Sequence, residues 1–518
     1  MCASCRNEGM ADDYASAVAA LDDLVSQTPR GKRDGSAWAE SFAALRACAR
    51  ALHLPERYAD LHVVHVAGTK GKGSVCAMVE SILRCTGRRT GMYTSPHLLD
   101  VRERIRIDGK PVSEAQFAKR FWHCWHTIRD AAPEGGVPAL FRFLTLMALH
   151  TFAEERVDAT VLEVGLGGRL DATNIVPAPT VCGIAAIGFD HMELLGNTLS
   201  AIATEKAGIM KPGVSAYTVP QEEEAMEALK RVADAVQAPL HLAKPLESYL
   251  RDPEVGGGSF RDVPIGLQGN HQRVNASLAV SLCHAWEERC GGTTPISKRR
   301  CELLAAGVLP REYEEGLRQA SWPGRSQVVQ VNENITYYLD GAHTAESMDA
   351  CAQWFADATS QAQAPEQAHV YERWMVFYCK KDRDPARLLL PLATRFRARE
   401  IDVRRALFVA PDSSVTTLTT HAGRNKSSTT NWERHLQATW ETLHKDHSSP
   451  PPPKVPWPVE DPHNTNHSAV VPSVAKAMEW IRNYPLKERP KTHLQILVTG
   501  SLYLVGDALR VLRRGRPL

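Results

Sequence analysis

Val66-Ala67-Gly68-Thr69-Lys70-Gly71-Lys72-Gly73-Ser74 ends an apolar run, supplies three glycines and two lysines, and opens a helical stretch. The run before it, Leu61-His62-Val63-Val64-His65-Val66, reads as a buried strand, and Val75 to Leu83 has the period of a helix packed on a sheet. Glycines between two such elements let the backbone close around phosphate oxygens. The loop N–H groups and the helix N-terminus supply positive potential, Lys72 reaches the outer phosphates, and the Ser74 hydroxyl can ligate magnesium. The plain Walker pattern is not matched: Val66 stands at its first glycine, and Gly73 separates Lys72 from Ser74. A bland glycine-rich turn is the alternative. It is disfavoured because strand, glycines, lysine, serine and helix fall in the order that a nucleotide triphosphate site requires.

A chain of 518 residues exceeds one ordinary core, so two or three domains are expected. With 43% hydrophobic and 23% charged residues the composition is that of a soluble globular protein. A net charge of +2 gives no electrostatic footprint for nucleic acid or an anionic membrane, which leaves a small-molecule partner. No apolar run approaches the ~20 residues that span a bilayer. The first ten residues have neither an apolar signal core nor the Arg-rich, acid-poor character of a transit peptide, so a cytoplasmic address is expected. The 12 cysteines are scattered and read as reduced thiols. Cys2 and Cys5 form an isolated CxxC, which reads as chance spacing and which initiation at Met10 would remove.

From about residue 14 to 310, apolar strands alternate with amphipathic helices, which predicts a mainly parallel α/β sheet wrapped by helices. Ala159 to Val164 and Val181 to Ile187 read as strands, and the helical stripe from Leu140 to Phe152 reads as core without a functional role. A second α/β series begins near residue 325, with strands expected at Ile335 to Leu339, Met375 to Tyr378, Leu407 to Ala410 and Leu494 to Val498. The domains are expected to span 10–311 and 312–518, with a hinge around Gly307 to Gly324. Residues 411–470 are rich in Ser, Thr, His, Asn and Pro, with four prolines at Pro450 to Pro453, and read as a poorly ordered surface insertion. Gly256-Gly257-Gly258 reads as a flexible loop.

Ligands of open parallel sheets bind outside the carboxyl ends of the strands. Three such ends deliver the phosphate loop, then Glu163 before Val164-Gly165-Leu166-Gly167-Gly168, then Asp190-His191. A carboxylate closing an apolar strand needs a cation. Magnesium beside a triphosphate would serve Glu163 and His191; a salt bridge of Glu163 to Arg169 or a lysine, and a loop hydrogen bond for His191, are the alternatives. Lys206 sits in a short apolar helix, where snorkelling to water is the ordinary outcome. Val101 to Ile107 alternates as a strand with Arg102, Arg104 and Arg106 on one face, suited either to an anionic ligand or to solvent at a sheet edge.

Together these residues resemble the folylpolyglutamate synthase and dihydrofolate synthase family, related to the Mur ligases. The matches run in order from residue 61 to 506. They include Gly68 to Ser74, Thr94-Ser95-Pro96-His97-Leu98, Arg102 to Ile107, Glu163 to Gly168, Asp190-His191 and Glu205-Lys206-Ala207-Gly208-Ile209. Gly269-Asn270-His271-Gln272 with Asn275, Trp322-Pro323-Gly324-Arg325, Asp340-Gly341-Ala342-His343 and Thr499-Gly500-Ser501-Leu502 complete the set. The resemblance implies an N-terminal P-loop ATPase domain and a C-terminal Rossmann-like domain. It implies that Ser95, Glu163 and His191 bind magnesium and that Lys206 is carbamylated to serve a second metal. It implies that Arg325 and Asp340 grip ATP, that Gln272 and Asn275 line the nucleotide pocket, and that Arg104, His343 and Ser501 hold glutamate. Ser95 to Leu98 would belong to a mobile loop over the pterin site. Tyr378-Cys379-Lys380-Lys381 departs from the smaller residues of relatives.

The expected activity is therefore an ATP-dependent amide ligase adding L-glutamate to the γ-carboxyl of a reduced folate through an acyl phosphate. The expected cofactors are ATP and Mg2+, with a monovalent cation (K+) left open; the partners are small molecules, and the chain is expected to be a monomer. Dihydrofolate synthase, another acid:amino-acid ligase and an inactive nucleotide-binding regulator are the rival readings.

Overall fold

The computed structural model describes residues 12–26, 35–131, 136–253, 265–291, 294–361, 370–412, 430–444, 456–458, 461, 463–484 and 492–513. The CxxC, Met10 and Gly256 to Gly258 lie outside them. The chain forms two compact units, Met1–Gly266 with Gln272–Ser321, and Leu267–His271 with Trp322–Leu518.

In the first unit the helices are α1 (Tyr14–Ser26), α2 (Gly35–Ala51), α3 (Lys72–Cys85), α4 (Glu114–Ala131), α5 (Leu140–Glu154), α6 (Met192–Leu195), α7 (Leu199–Ala207), α8 (Glu223–Val236), α9 (Asn270–Cys290), α10 (Pro295–Ala305) and α11 (Arg311–Gln319). Its main strands are β1 (Val63–Ala67), β2 (Thr90–Tyr93), β3 (Ile105–Ile107), β4 (Lys110–Pro111), β5 (Ala159–Glu163), β6 (Val181–Ile184), β7 (Ala216–Thr218) and β8 (Leu240–Leu242). They lie in the order β4-β3-β2-β5-β1-β6-β7-β8. All neighbours are parallel except β2 with β3 and β3 with β4. β1, β5 and β6 are buried along their whole lengths, as continuous apolar strands of a covered parallel sheet should be. β9 (Leu250–Arg251) and β10 (Val308–Leu309) form a separate parallel pair.

The boundary falls after Ser321 and not at 311/312. Much of the expected hinge is in fact α11, with Tyr313 and Leu317 buried. A methyl group on its Gly316 would lie 2.5 Å from the Ile82 Cα of α3, so tight helix packing ties this segment to the first unit.

The second unit has β11 (Gln327–Asn332), β12 (Ile335–Leu339), β13 (Val370–Phe377), β14 (Val403–Phe408), β15 (Ser468–Val470) and β16 (Thr492–Thr499), in the order β11-β12-β16-β13-β14-β15. Only β11 with β12 is antiparallel. Its helices are α12 (Ala345–Gln361), α13 (Pro385–Ala398), α14 (Thr430–Leu443), α15 (Val474–Arg482) and α16 (Leu502–Leu512). The expectation of two α/β units with mainly parallel sheets holds.

The reading of 411–470 as one poorly ordered insertion does not hold for its described residues; Pro450 to Pro453 lie outside them. α14 spaces Trp432, Leu436, Trp440 and Leu443 along one face, and Leu436 and Trp440 are core residues of the second unit. β15 adds the edge strand, parallel to β14. Polar composition across the segment masked this short helical period. Trp440 is 1% exposed, so Trp440→Ala should lower unfolding free energy by about 3–5 kcal/mol in denaturant titrations. A loss below about 1 kcal/mol would show that α14 is not part of the core.

His65 lies fully buried in β1, its Nε2 2.8 Å from Thr173 Oγ1, and burial pushes its imidazole down to about 3. Between that value and the ordinary 6.5 the unfolded chain binds a proton that the folded chain does not, so acidification through this window favours unfolding. The urea midpoint should fall from pH 7 to pH 5 more steeply in the wild type than in His65→Gln.

Candidate nucleotide and amino-acid sites

The phosphate loop leaves the carboxyl end of β1 and is seated on the chain that follows β6. The N–H groups of Thr69 and Lys70 donate to the Ala186 carbonyl, at 2.9 and 3.0 Å. Thr69 Oγ1 accepts from Gly188 N at 3.1 Å and lies 3.0 Å from Gly188 O. Gly71 takes φ +85° at the start of α3, and a Cβ there would collide with the Asn275 side-chain oxygen. Position 71 therefore requires glycine for both its backbone conformation and its space. Asn275 Nδ2 donates to Gln272 Oε1 at 2.9 Å, and Gln272 Nε2 donates to Ser74 Oγ at 3.3 Å. Gln272, Asn275, Ser74 and the loop thus form one connected polar group.

Three lysines surround it. Lys72 Nζ donates to Thr69 O at 3.4 Å, and Lys70 Nζ lies 3.0 Å from Asp190 Oδ2. Lys206 does not snorkel: it is 4% exposed and donates to Gly68 O at 2.9 Å. Burial, aided by the charge of Lys72, pushes the Lys206 ammonium down to about 7.

Glu163 closes β5, 5% exposed, and its Oε2 accepts from Ser95 N at 2.9 Å. The Arg169 guanidinium goes instead to Glu205, at 2.8 Å. His191 caps α6 with φ +51°, its side chain 48% exposed and its Nδ1 3.8 Å from Glu193 Oε1. Among the described residues no three His, Cys, Asp or Glu side chains gather as a metal cluster.

Val101–Arg104 is a 3-10 turn, so the three arginines do not share a strand face. Asp100 caps the turn, and Glu103 completes the capping box, which a strand reading of the alternation overlooks. Arg102 pairs with Asp100 at 3.0 Å, Arg104 Nε reaches His97 Nδ1 at 3.0 Å, and Arg106 donates to the Glu103 and Gly109 carbonyls.

In the second unit, Asp340 follows β12 and is 8% exposed. Its Oδ2 accepts from Ser326 N at 2.7 Å and its Oδ1 from Ala342 N at 2.9 Å. A methyl group on Gly341 would lie 2.6 Å from Arg325 Nη1, which places that guanidinium over the strand end. His343 Nδ1 is 2.8 Å from Gly341 O; a carbonyl only accepts, so Nδ1 carries the proton. Ser501 follows β16 and caps α16, its Oγ accepting from Tyr503 N at 3.2 Å.

The chain is 39% identical over 531 residues to a folylpolyglutamate synthase of Arabidopsis thaliana, covering 97% of this chain and 89% of that one. It is 38% identical over 502 residues to the mitochondrial folylpolyglutamate synthase of Homo sapiens, covering 87% and 83%. This chain belongs to the folylpolyglutamate synthase family. No family model matches it. The Mycobacterium tuberculosis folylpolyglutamate synthase complexed with ADP and AMPPCP shares the fold, with TM-score 0.69, 24% identity, and coverage of 98% of this chain and 100% of that one. A bifunctional folylpolyglutamate synthase/dihydrofolate synthase of Yersinia pestis, complexed with AMPPNP and Mn ion, superposes with TM-score 0.64 at 24% identity, covering 96% and 98%.

Two residues absent from the expected family site set shape these loops. Asp171 is buried and accepts from Gly165 N, Leu166 N and Thr173 N, which folds the glycine loop after Glu163; burial raises its pKa against those hydrogen bonds. An Asp six residues after a glycine carried no periodic signal. His271 is packed close enough to Arg325 and Asp340 to feel both charges, and burial lowers its pKa. Gly71→Ala should abolish nucleotide binding, read as loss of the ADP-induced rise in melting temperature, while the free protein still folds. An undiminished ADP shift would refute the tight fit of loop and Asn275.

Proposed function

We propose that this chain is an ATP-dependent amide ligase that adds L-glutamate to the γ-carboxyl group of a reduced folate, as a cytosolic monomer. The observation that carries the reading is the convergence of Lys72 and Lys206 on one phosphate loop in a member of this family, with Glu163 paired beside Val66 on the strand that delivers the loop. A carboxylate is a poor electrophile. Its oxygen first attacks the γ-phosphorus of ATP, giving an acyl phosphate and ADP. Lys72 and the loop N–H groups of Gly68, Gly71 and Gly73 hold the transferring phosphoryl group, on a loop seated by the Thr69 and Lys70 N–H groups; the task is mostly positioning and electrostatics. The glutamate amine then attacks the acyl carbon, loses a proton, and phosphate leaves from the tetrahedral intermediate. Arg104, His343 and Ser501 are assigned to glutamate, Arg325 and Asp340 to ATP, and Gln272 with Asn275 to the nucleotide pocket.

Magnesium fits the donor set: a buried carboxylate, Glu163, with the Ser74 and Ser95 hydroxyls and His191, leaves room for phosphate oxygens and water. When bound, it would neutralise phosphate charge. Lys206 as an ammonium has no lone pair for a metal. Its buried amine fits that role only after adding to carbon dioxide with loss of a proton, which makes an anionic carbamate.

Glutamate-dependent ADP release with tetrahydrofolate, and addition of glutamate to the product, test the reading; release only with dihydropteroate would assign dihydrofolate synthesis instead. Lys72→Ala should lower kcat at least about a hundredfold with unchanged circular dichroism. Near-normal turnover would sink the mechanism. Native mass spectrometry in bicarbonate should find the wild type heavier by one carbon dioxide, and Lys206→Ala should lack the increment.

A further inference from the structure

The loop after β2 carries Ser95 and His97 and ends in the 3-10 turn that presents Arg104. Its backbone is held from inside by Glu103, which is 8% exposed. Glu103 Oε2 accepts from Leu98 N at 2.9 Å, and Oε1 accepts from Leu99 N at 2.9 Å and Asp100 N at 3.1 Å. Three successive N–H groups on one buried carboxylate define the loop's path. Asp100 closes the other side: its Oδ1 accepts from Arg102 N at 2.9 Å and Arg102 Nε at 3.0 Å, and its Oδ2 from Arg102 Nη2 at 3.1 Å.

Asp100 has one further partner, from an element remote in sequence. Tyr14, the first residue of α1, donates its hydroxyl to Asp100 Oδ1 at 2.8 Å. The Arg102 guanidinium lies over the Tyr14 ring, 5.2 Å from its centroid. Tyr14 is itself fixed. Its ring meets Phe117 of α4 edge-on at 5.5 Å, Trp122 Nε1 donates to Asp13 O at 3.3 Å, and Ala17 and Leu21 on the same helix are fully buried. A half-buried tyrosine, packed against Phe117, thus reaches the cap of the turn that ends in Arg104, and Arg104 O accepts from Thr94 N at 3.1 Å.

We propose that α1 is a positioning element for the glutamate site: Tyr14 holds Asp100, Asp100 and Glu103 hold the turn, and the turn aims Arg104. This rests on Arg104 being a glutamate-binding residue. Tyr14 touches no substrate in this scheme. Its hydroxyl restrains the loop through a charged acceptor, so its removal frees the cap without emptying the core.

Tyr14→Phe in the full chain tests it. The KM for glutamate should rise roughly tenfold, the effect of one hydrogen bond to a charged group, with kcat and the KM for ATP within about twofold of wild type. Added to Asp100→Ala, it should cause no further rise, because both remove one contact. Hydrogen exchange at the Leu98, Leu99 and Asp100 amides should quicken in Tyr14→Phe while the β1 and β5 amides stay protected. An unchanged KM, an equal fall of kcat with every substrate, additive effects in the double variant, or unaltered exchange would each overturn the proposal. Absence of glutamate-dependent ADP release in the wild type would overturn the ligase reading and the glutamate assignment together, whereas the exchange result decides the Tyr14 restraint independently.

Discussion

Three lysines on one loop are the constraint around which the first unit is organised. Lys72 and Lys206 donate to carbonyls of the chain that leaves β1, and Lys70, on that same chain, pairs with the Asp190 carboxylate. Burial disfavours an ammonium, and a like charge nearby adds to the cost. Lys206, the most buried of the three, bears both, with a pKa depressed to about 7. A loop folded around such charge is prepared for an anion before one arrives, which is what phosphoryl transfer by positioning and electrostatics needs.

Parallel pairing makes that concentration possible. β5, β1 and β6 are neighbours and run the same way, so Glu163, the phosphate loop and the Gly188 to Asp190 segment emerge at one edge. The second unit repeats the solution by itself: β12, β16 and β13 are adjacent and parallel, and their ends deliver Asp340, Ser501 and Lys380. Buried carboxylates then shape the connecting loops. Asp171 gathers backbone N–H groups after β5, and Glu103 gathers them after β2. These groups do structural work beside the chemistry, and their acceptors are spent on backbone.

The arginines of 102–106 illustrate how local pattern misleads. Apolar alternation there is genuine, but Asp100 and Glu103 form a capping box whose hydrogen bonds outweigh it over four residues, leaving only Ile105–Ile107 as strand. α14 shows the reverse: a polar, proline-rich neighbourhood contains a helix whose aromatic face is legible only over its own 14 residues. Composition averaged over a long window dilutes a helical period that spans only a few turns.

The central strands of both sheets, α3, α5 and the identity of the phosphate loop were legible because each is written in adjacent residues: apolar runs, helical period, glycine and lysine spacing. Family membership was legible for the same reason, as ordered short motifs. Tertiary structure alone decided that Asn275 occupies the space that makes Gly71 obligatory, that Lys206 is buried against Gly68, that Arg311–Gln319 joins the first unit, and that Tyr14 reaches Asp100. Those facts join residues tens to hundreds of positions apart. Local sequence sets backbone preference over a few residues, but burial, charge and hydrogen-bond partners are properties of neighbours that only the completed fold brings together.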